Sequence, residues 1–257
     1  MQSQAESALD SWREWSLQLT DRPTISGVLA DGLTNQSFVL ETSQGDAVLR
    51  IPHPQSEALG IDRQREQLII KALQGKRINT DVWFHDETTG IMVSRHVAGK
   101  VYSADELSTA QKTKVNDLIH RYQAMQLDLP RFDYVTYLQE YRERLLAYEQ
   151  LSPGWESEWQ CFLPKLINLQ NAGWKPVLCH HDLKGKNLID TNDAWVLVDW
   201  EYAAMGHPAL DLLSCGLAYQ IDAEERKTLL ELIEWMERYW FTLQKYNHQS
   251  RRQVLAD

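Results

Sequence analysis

The sequence predicts an α+β protein, with its strands gathered early in the chain and its helices late. Two observations carry that expectation. Short β-branched runs fill much of residues 25–94, and apolar residues recur at helical spacing from residue 104 onward. With 257 residues the chain can bury a large core, in one domain or in two intimate lobes.

The elements follow in order. Leu9, Trp12, Trp15 and Leu19 lie at helical spacing, which predicts an amphipathic helix over 6–19 whose tryptophans pack into the core. The runs ISGVLA, SFVLET and AVLRI predict three strands, the last two joined by the turn Ser43-Gln44-Gly45-Asp46. RQREQLIIKAL predicts a helix within 61–73, with Leu68, Ile69 and Leu73 on its apolar face. Two more strands are expected at 80–85 and 91–94, and helices at 104–126, 134–151 and 155–171. Pro164 supplies no backbone donor and should kink or restart the third of these helices. PALDLLSCGLAY predicts a buried helix over 208–219. A last helix is expected over 223–246, with Asp222 and Glu225 at capping-box spacing where it begins.

Composition narrows the class. Hydrophobic residues at 43% and charged residues at 24% are ordinary for a globular protein. The net charge of −10 disfavours a nucleic-acid partner, because binding a phosphate backbone needs concentrated Lys and Arg. No apolar run approaches the roughly 18 residues that span a bilayer, and the first residues lack the basic start and apolar stretch of a signal peptide. A cytoplasmic location is expected, without membrane association. Cys161, Cys179 and Cys215 are scattered and suggest neither a disulfide framework nor a zinc site. Nothing in the sequence sets an oligomeric state.

Chemistry concentrates in residues 180–201, HHDLKGKNLIDTNDAWVLVDWE. Leu178 and Cys179 read as the end of a strand, followed by a polar, glycine-containing loop. Leu188-Ile189 and residues 195–198 read as two short strands with a turn at Thr191-Asn192-Asp193. Such a hairpin would carry Asp199 back beside the loop that holds Asp182 and Asn187. An Asp can accept the proton of an attacking hydroxyl, while an Asn amide oxygen and a second Asp hold Mg2+ over the phosphates of a nucleotide. Each residue alone could be an ordinary turn former or cap; the whole string favours phosphoryl transfer.

The string resembles the aminoglycoside phosphotransferase and choline kinase superfamily, whose sites have the form H-x-D-x-x-x-x-N followed by D-[WF]-E. L-R-I-P at 49–52 and D-W-E-Y-A at 199–203 bring it nearest to the bacterial thiamine kinase-like and choline kinase-like branches. The resemblance implies a bilobal protein-kinase-like fold. A small, mainly antiparallel lobe (1–99) would bind nucleotide, and a larger helical lobe (100–257) would carry catalysis and substrate. It implies Asp182 as the catalytic acceptor, His180 as the brace of its loop, and Asn187 and Asp199 as Mg2+ ligands. The turn with Gly32, Thr34 and Asn35 matches the loop that covers the phosphates of ATP. Arg50 matches the strand cation that grips them, and Glu66 the carboxylate that pairs with it. Residues 95–99 match the hinge, where Gly99 keeps its place. Asp211 matches an aspartate that steadies the catalytic loop. Read from the residues alone, Gly32 also suits a plain hairpin turn, Arg50 an edge-strand charge and Glu66 a solvated helix face.

Only residues 200–210 separate Asp199 from Asp211, too few for the activation segment with which protein kinases present a peptide. The expected acceptor is therefore a small-molecule alcohol. The acidic chain and the resemblance point to a cationic one, with thiamine ahead of choline or ethanolamine. Trp200, Tyr202, Trp235 and Trp240 could offer aromatic faces to its nitrogen, and Glu201 or Asp211 a countercharge. Aminoglycoside, sugar and homoserine kinases are the alternatives, followed by a pseudokinase acting as a binding module.

Overall fold

The computed structural model describes residues 2–31, 34–53, 59–183 and 186–254. The chain forms two compact units, Met1–Ser103 with Gly185–Ala203, and Ala104–Lys184 with Ala204–Asp257.

The first unit is built on an antiparallel sheet of five strands: β1 (Thr24–Asp31), β2 (Asn35–Glu41), β3 (Ala47–Pro52), β4 (Val82–His85) and β5 (Met92–Arg95), in the order β1-β2-β3-β5-β4. Alternation along β3 divides its side chains between two faces. Leu49 and Ile51 join a core with Leu9, Trp12, Trp15, Phe38 and Trp83, so the tryptophans of the opening segment are packing residues. That segment differs from the expected helix over 6–19. Helix α1 occupies Gln2–Ala8 and a 3-10 turn follows at Leu9–Glu14. The chain then extends, and Ser16 N–H donates to Trp83 O at 2.8 Å, which docks it on the sheet instead of continuing the helix.

Helix α2 (Arg63–Leu73) follows β3, capped by Asp62, whose side chain accepts from Arg65 N–H. Its buried face is Ile69, Ile70 and Leu73, with Glu66 among them. Leu68, expected on that face, is exposed. A second sheet places β6 (Lys100–Tyr102) beside β8 (Leu188–Asp190), which pairs in turn with β9 (Trp195–Leu197). The pairing of β6 with β8 is why 185–203 packs with the first unit, although the sequence division at residue 99 groups it with the helices. Gly99 is pressed against β8: a Cβ there would lie 2.6 Å from Asp190 O. The expected turn at 191–193 closes the β8–β9 hairpin, with Thr191 N–H donating to Ala194 O.

The second unit is mainly helical, with α3 (Thr109–Gln123), α4 (Tyr134–Ala147), α5 (Pro153–Asn171), α6 (Leu210–Ser214) and α7 (Ala223–Val254). A short antiparallel pair joins β7 (Val177–Cys179) to β10 (Ala204–Gly206). Ser108 and Gln111 form a reciprocal capping box at the start of α3. Pro164 lies inside α5, which runs on through it. Helix α6 is much shorter than expected because it closes early. Leu217 N–H bonds back to Leu212 O and Gly216 N–H to Leu213 O, the Schellman pattern that ends helices. At α7 the cap is half formed: Asp222 accepts from Glu225 N–H, but the Glu225 carboxylate turns to His207 Nε2 at 2.9 Å. Among the described residues, no helix is long and apolar enough to cross a membrane.

Candidate active site

In the first unit, alternation puts Arg50 on the face of β3 opposite Leu49 and Ile51. There its buried guanidinium meets carboxylates from two other segments. Arg50 Nη1 lies 2.7 Å from Glu66 Oε1 on α2 and 3.2 Å from Asp199 Oδ1 just after β9. Arg63, one helical turn before Glu66, places Nη1 at 2.8 Å from Glu66 Oε2 and 3.2 Å from Glu201 Oε2. Asn35 Nδ2 donates to the same Glu201 oxygen at 3.0 Å, and His85 Nε2 stands 3.5 Å from Glu66. The structure thus brings together Asn35, Arg50, Glu66, Asp199 and Glu201, and adds Arg63 and His85, which the sequence reading missed. The i,i+3 spacing of Arg63 and Glu66 was a legible signal for the first; nothing local marked His85. Thr34 is buried beside Asn35, whose Nδ2 also reaches Thr34 Oγ1 at 3.2 Å. Gly32 lies outside the described residues.

The electrostatics of this cluster are lopsided, with two guanidiniums facing three carboxylates. Burial opposes the charge on Arg50, but Glu66, Asp199 and Glu201 outweigh it and raise its pKa. Burial likewise opposes ionised Glu66, yet Arg50 above all, with His85 and Arg63, holds its carboxyl far below the usual range. Glu201 takes the deficit. Burial and then the neighbouring Asp199 charge push it up to about 7, against the pull of Arg50 and Arg63. Its position, 2% exposed between Arg63 and Asn35, makes it a partner within the network.

The β8–β9 hairpin brings the two expected metal ligands to one end. Val198 N–H donates to Asn187 O at 3.1 Å, setting the residue before Asp199 against Asn187. Asn187 is buried, whereas the Asp199 side chain is 31% exposed on a left-handed backbone with φ 65°. Two oxygen donors beside a cluster one positive charge short suit Mg2+, which takes one or two protein oxygens and completes its shell with phosphate oxygens and water. Among the described residues, no group of three or more His, Cys, Asp and Glu side chains forms a dedicated metal cage.

In the second unit the loop after β7 is clasped by one carboxylate. Asp211 accepts from His180 N–H at 2.7 Å, His181 N–H at 3.1 Å and Tyr122 Oη–H at 2.6 Å. Burial raises its pKa and these three donors oppose the rise. Asp182 N–H donates to His180 Nδ1 at 3.3 Å, so the His180 ring closes the turn that presents Asp182. Asp182 lines a small, open recess. Leu183, Leu210, Ile233 and Met236 form its apolar wall; His181 and Glu237 add polar groups. Of the aromatic candidates in this unit, neither Trp235 nor Trp240 lines it. Trp200 is buried, with Nε1–H on Leu197 O at 3.3 Å. Trp235 is buried among Trp155, Trp159, Phe162 and Tyr239. Tyr202 and Trp240 are half-buried. Glu237, on a helix whose inner stripe reads as ordinary core, had no distinguishing sequence signal.

A family model described as the phosphotransferase enzyme family matches residues 27–247. Protein LicA of Haemophilus influenzae is 20% identical over 210 residues, which cover 78% of this chain and 60% of that protein. The crystal structure of choline kinase LicA from Streptococcus pneumoniae superposes with a TM-score of 0.72 at 19% identity, covering 96% of this chain and 92% of the other. A choline/ethanolamine kinase family protein from Mesorhizobium loti gives a TM-score of 0.65 at 20% identity, covering 95% and 87%. These likenesses establish the protein-kinase-like fold.

Proposed function

The chain belongs to the phosphotransferase enzyme family, and from that premise we propose that it transfers the γ-phosphate of ATP to the hydroxyl of a small cationic alcohol such as choline, ethanolamine or thiamine. The observation that carries the acceptor class is the recess beside Asp182. It sets Glu237, with Asp182 beside it, against an aliphatic and thioether wall, which suits an ammonium bearing apolar substituents.

In this reading Asp182 accepts the hydroxyl proton as the oxygen attacks phosphorus. His180 and Asp211 hold its loop, so the carboxylate is presented without reorganisation. Arg50 contacts phosphate oxygens through its guanidinium fork, and Glu66 orients that fork. Thr34 and Asn35 close the phosphate-binding turn. Asn187 and Asp199 hold Mg2+, which when bound offsets the charge of the phosphates. Residues 1–99 serve as the nucleotide-binding lobe and 100–257 as the catalytic one, the two joined at 95–99.

The test is ADP release with Mg-ATP and a panel of choline, ethanolamine, thiamine, kanamycin and homoserine. Preference for one of the first three is expected. Preference for homoserine would overturn the cationic reading, and preference for kanamycin would keep the charge and discard the size.

A further inference from the structure

Resting on that reading, we propose that His181 is an acceptor-specificity residue, its ring fixed by Tyr134 as the wall of the recess next to Asp182. Three features of the fold serve to place this ring. First, Tyr134 is fully buried and its oxygen accepts from His207 N–H at 3.0 Å, which aims the hydroxyl; the same oxygen lies 2.9 Å from His181 Nε2. His207 N–H occupies one lone pair of the hydroxyl, which leaves its proton and second lone pair to engage Nε2 in either tautomer of the ring. Second, the ring is held on its sides by Phe132, at 5.1 Å between centroids, and by Tyr134, edge-on at 5.7 Å. Third, residue 206 has room for glycine alone. A Cβ there would stand 2.6 Å from His181 Nε2 and closer still to Tyr134 Oη.

The backbone supports the same conclusion. His181 has φ 66°, a region where glycine sits without penalty and other residues are uncommon. A loop built only to present Asp182 would gain from glycine at this position. The residue that stands there instead is one of those lining the recess, together with Leu210, Ile233 and Met236. A side chain at this place sets how bulky an ammonium the recess accepts, because one methyl more or less against a hydrophobic wall changes kcat/KM by about 10-fold or more. Tyr134 acts through His181 and is a positioning residue.

The experiment uses the full chain and the ratio of kcat/KM for the two panel alcohols that the parent uses best. His181→Gly deletes the ring while favouring the existing backbone, and should change that ratio by about 10-fold while leaving the KM for ATP near the parent value. Tyr134→Phe keeps the second ring and frees the first, so it should move the ratio in the same direction by less. The double variant should match His181→Gly, since Tyr134 has no separate route to the acceptor. If Tyr134→Phe does not fold, His181→Gly decides alone. An unchanged ratio in His181→Gly, with acceptor-dependent turnover intact, overturns this inference and leaves the kinase reading standing. A parent that releases ADP with none of the five alcohols overturns both.

Discussion

Glu66→Gln tests the charge arrangement of the first unit most directly. The Glu66 carboxylate is fully enclosed, 2.7 Å from Arg50 and 2.8 Å from Arg63. Removing one member of a buried ion pair typically costs about 3–5 kcal/mol, because the partner is left desolvated. Here Arg50 keeps Asp199 and Arg63 keeps Glu201, each at 3.2 Å. Glutamine also keeps one oxygen, so the low end, about 3 kcal/mol, is expected. The pH dependence supplies a second handle. The folded-state pKa of Glu66 lies below its ordinary 4.5. Its contribution is therefore complete above that value and is lost as the pH falls toward the folded pKa. The variant has no such group to lose. Urea unfolding followed by circular dichroism should show a gap between parent and variant that is constant near neutrality. Below the ordinary carboxylate range the gap should close by about 1.4 kcal/mol per pH unit. A variant as stable as the parent at neutral pH, or a gap that stays constant through the acid range, would refute the assignment of Glu66 as the anion on which both arginines depend.

The remaining expectations concern activity. Asp182→Ala should lower turnover by about 10²- to 10⁴-fold while Mg-ATP still binds, which single-turnover kinetics and calorimetry separate. Asp199→Ala should weaken Mg-dependent nucleotide binding, with Asn187→Ala milder; calorimetric titrations indifferent to both would remove them as metal ligands. Arg50→Ala should raise the KM for ATP, and Arg50→Lys should recover part of it, since lysine offers a point charge without the fork. Glu237→Gln should raise the acceptor KM by about 5-fold and leave that for ATP alone, the size expected for one partly solvated charge contact; equal changes in both constants would point to general disruption of α7.

How much of this was legible in the sequence depends on whether a residue's role is local. The hairpin at 188–197 and the strands at 47–52 and 92–95 follow from alternation and turn chemistry, and they appear where expected. The opening segment does not. Its spacing is helical, but Trp12 and Trp15 reach the core just as well from a 3-10 turn and an extended tail docked on Trp83. Helix α6 stops at Ser214, well short of residue 219, because Gly216 ends it, and glycine just beyond a helix is the commonest stop. The aromatic side chains misled for a simpler reason. A tryptophan stripe at helical spacing serves core and ligand equally well in sequence, and Trp235 shows which it is only through its four aromatic neighbours. His85 and Tyr134 act through partners remote in the chain, which no local pattern announces, whereas Arg63 joins a legible i,i+3 pair with Glu66 to the remote Glu201.

The left-handed residues link these local and non-local levels. Among the described residues, five non-glycine positions have positive φ: Arg77, Glu149, His181, Asn192 and Asp199. Arg77, Glu149 and Asn192 are exposed, and the last sits in the hairpin turn, where such backbone needs no further cause. His181 and Asp199 are half-buried and bracket the two halves of the phosphotransfer string. Backbone in this region costs about 1–3 kcal/mol and persists only where surrounding contacts over-determine it. Those contacts are visible at both residues. His181 is fixed by its N–H on Asp211 and its ring on Tyr134. Asp199 is fixed by Arg50 and by the Val198–Asn187 bond one residue earlier. The two residues bearing this strain thus belong to the two places where the proposed reaction needs a side chain held still: the wall of the acceptor recess and the ligand of the metal.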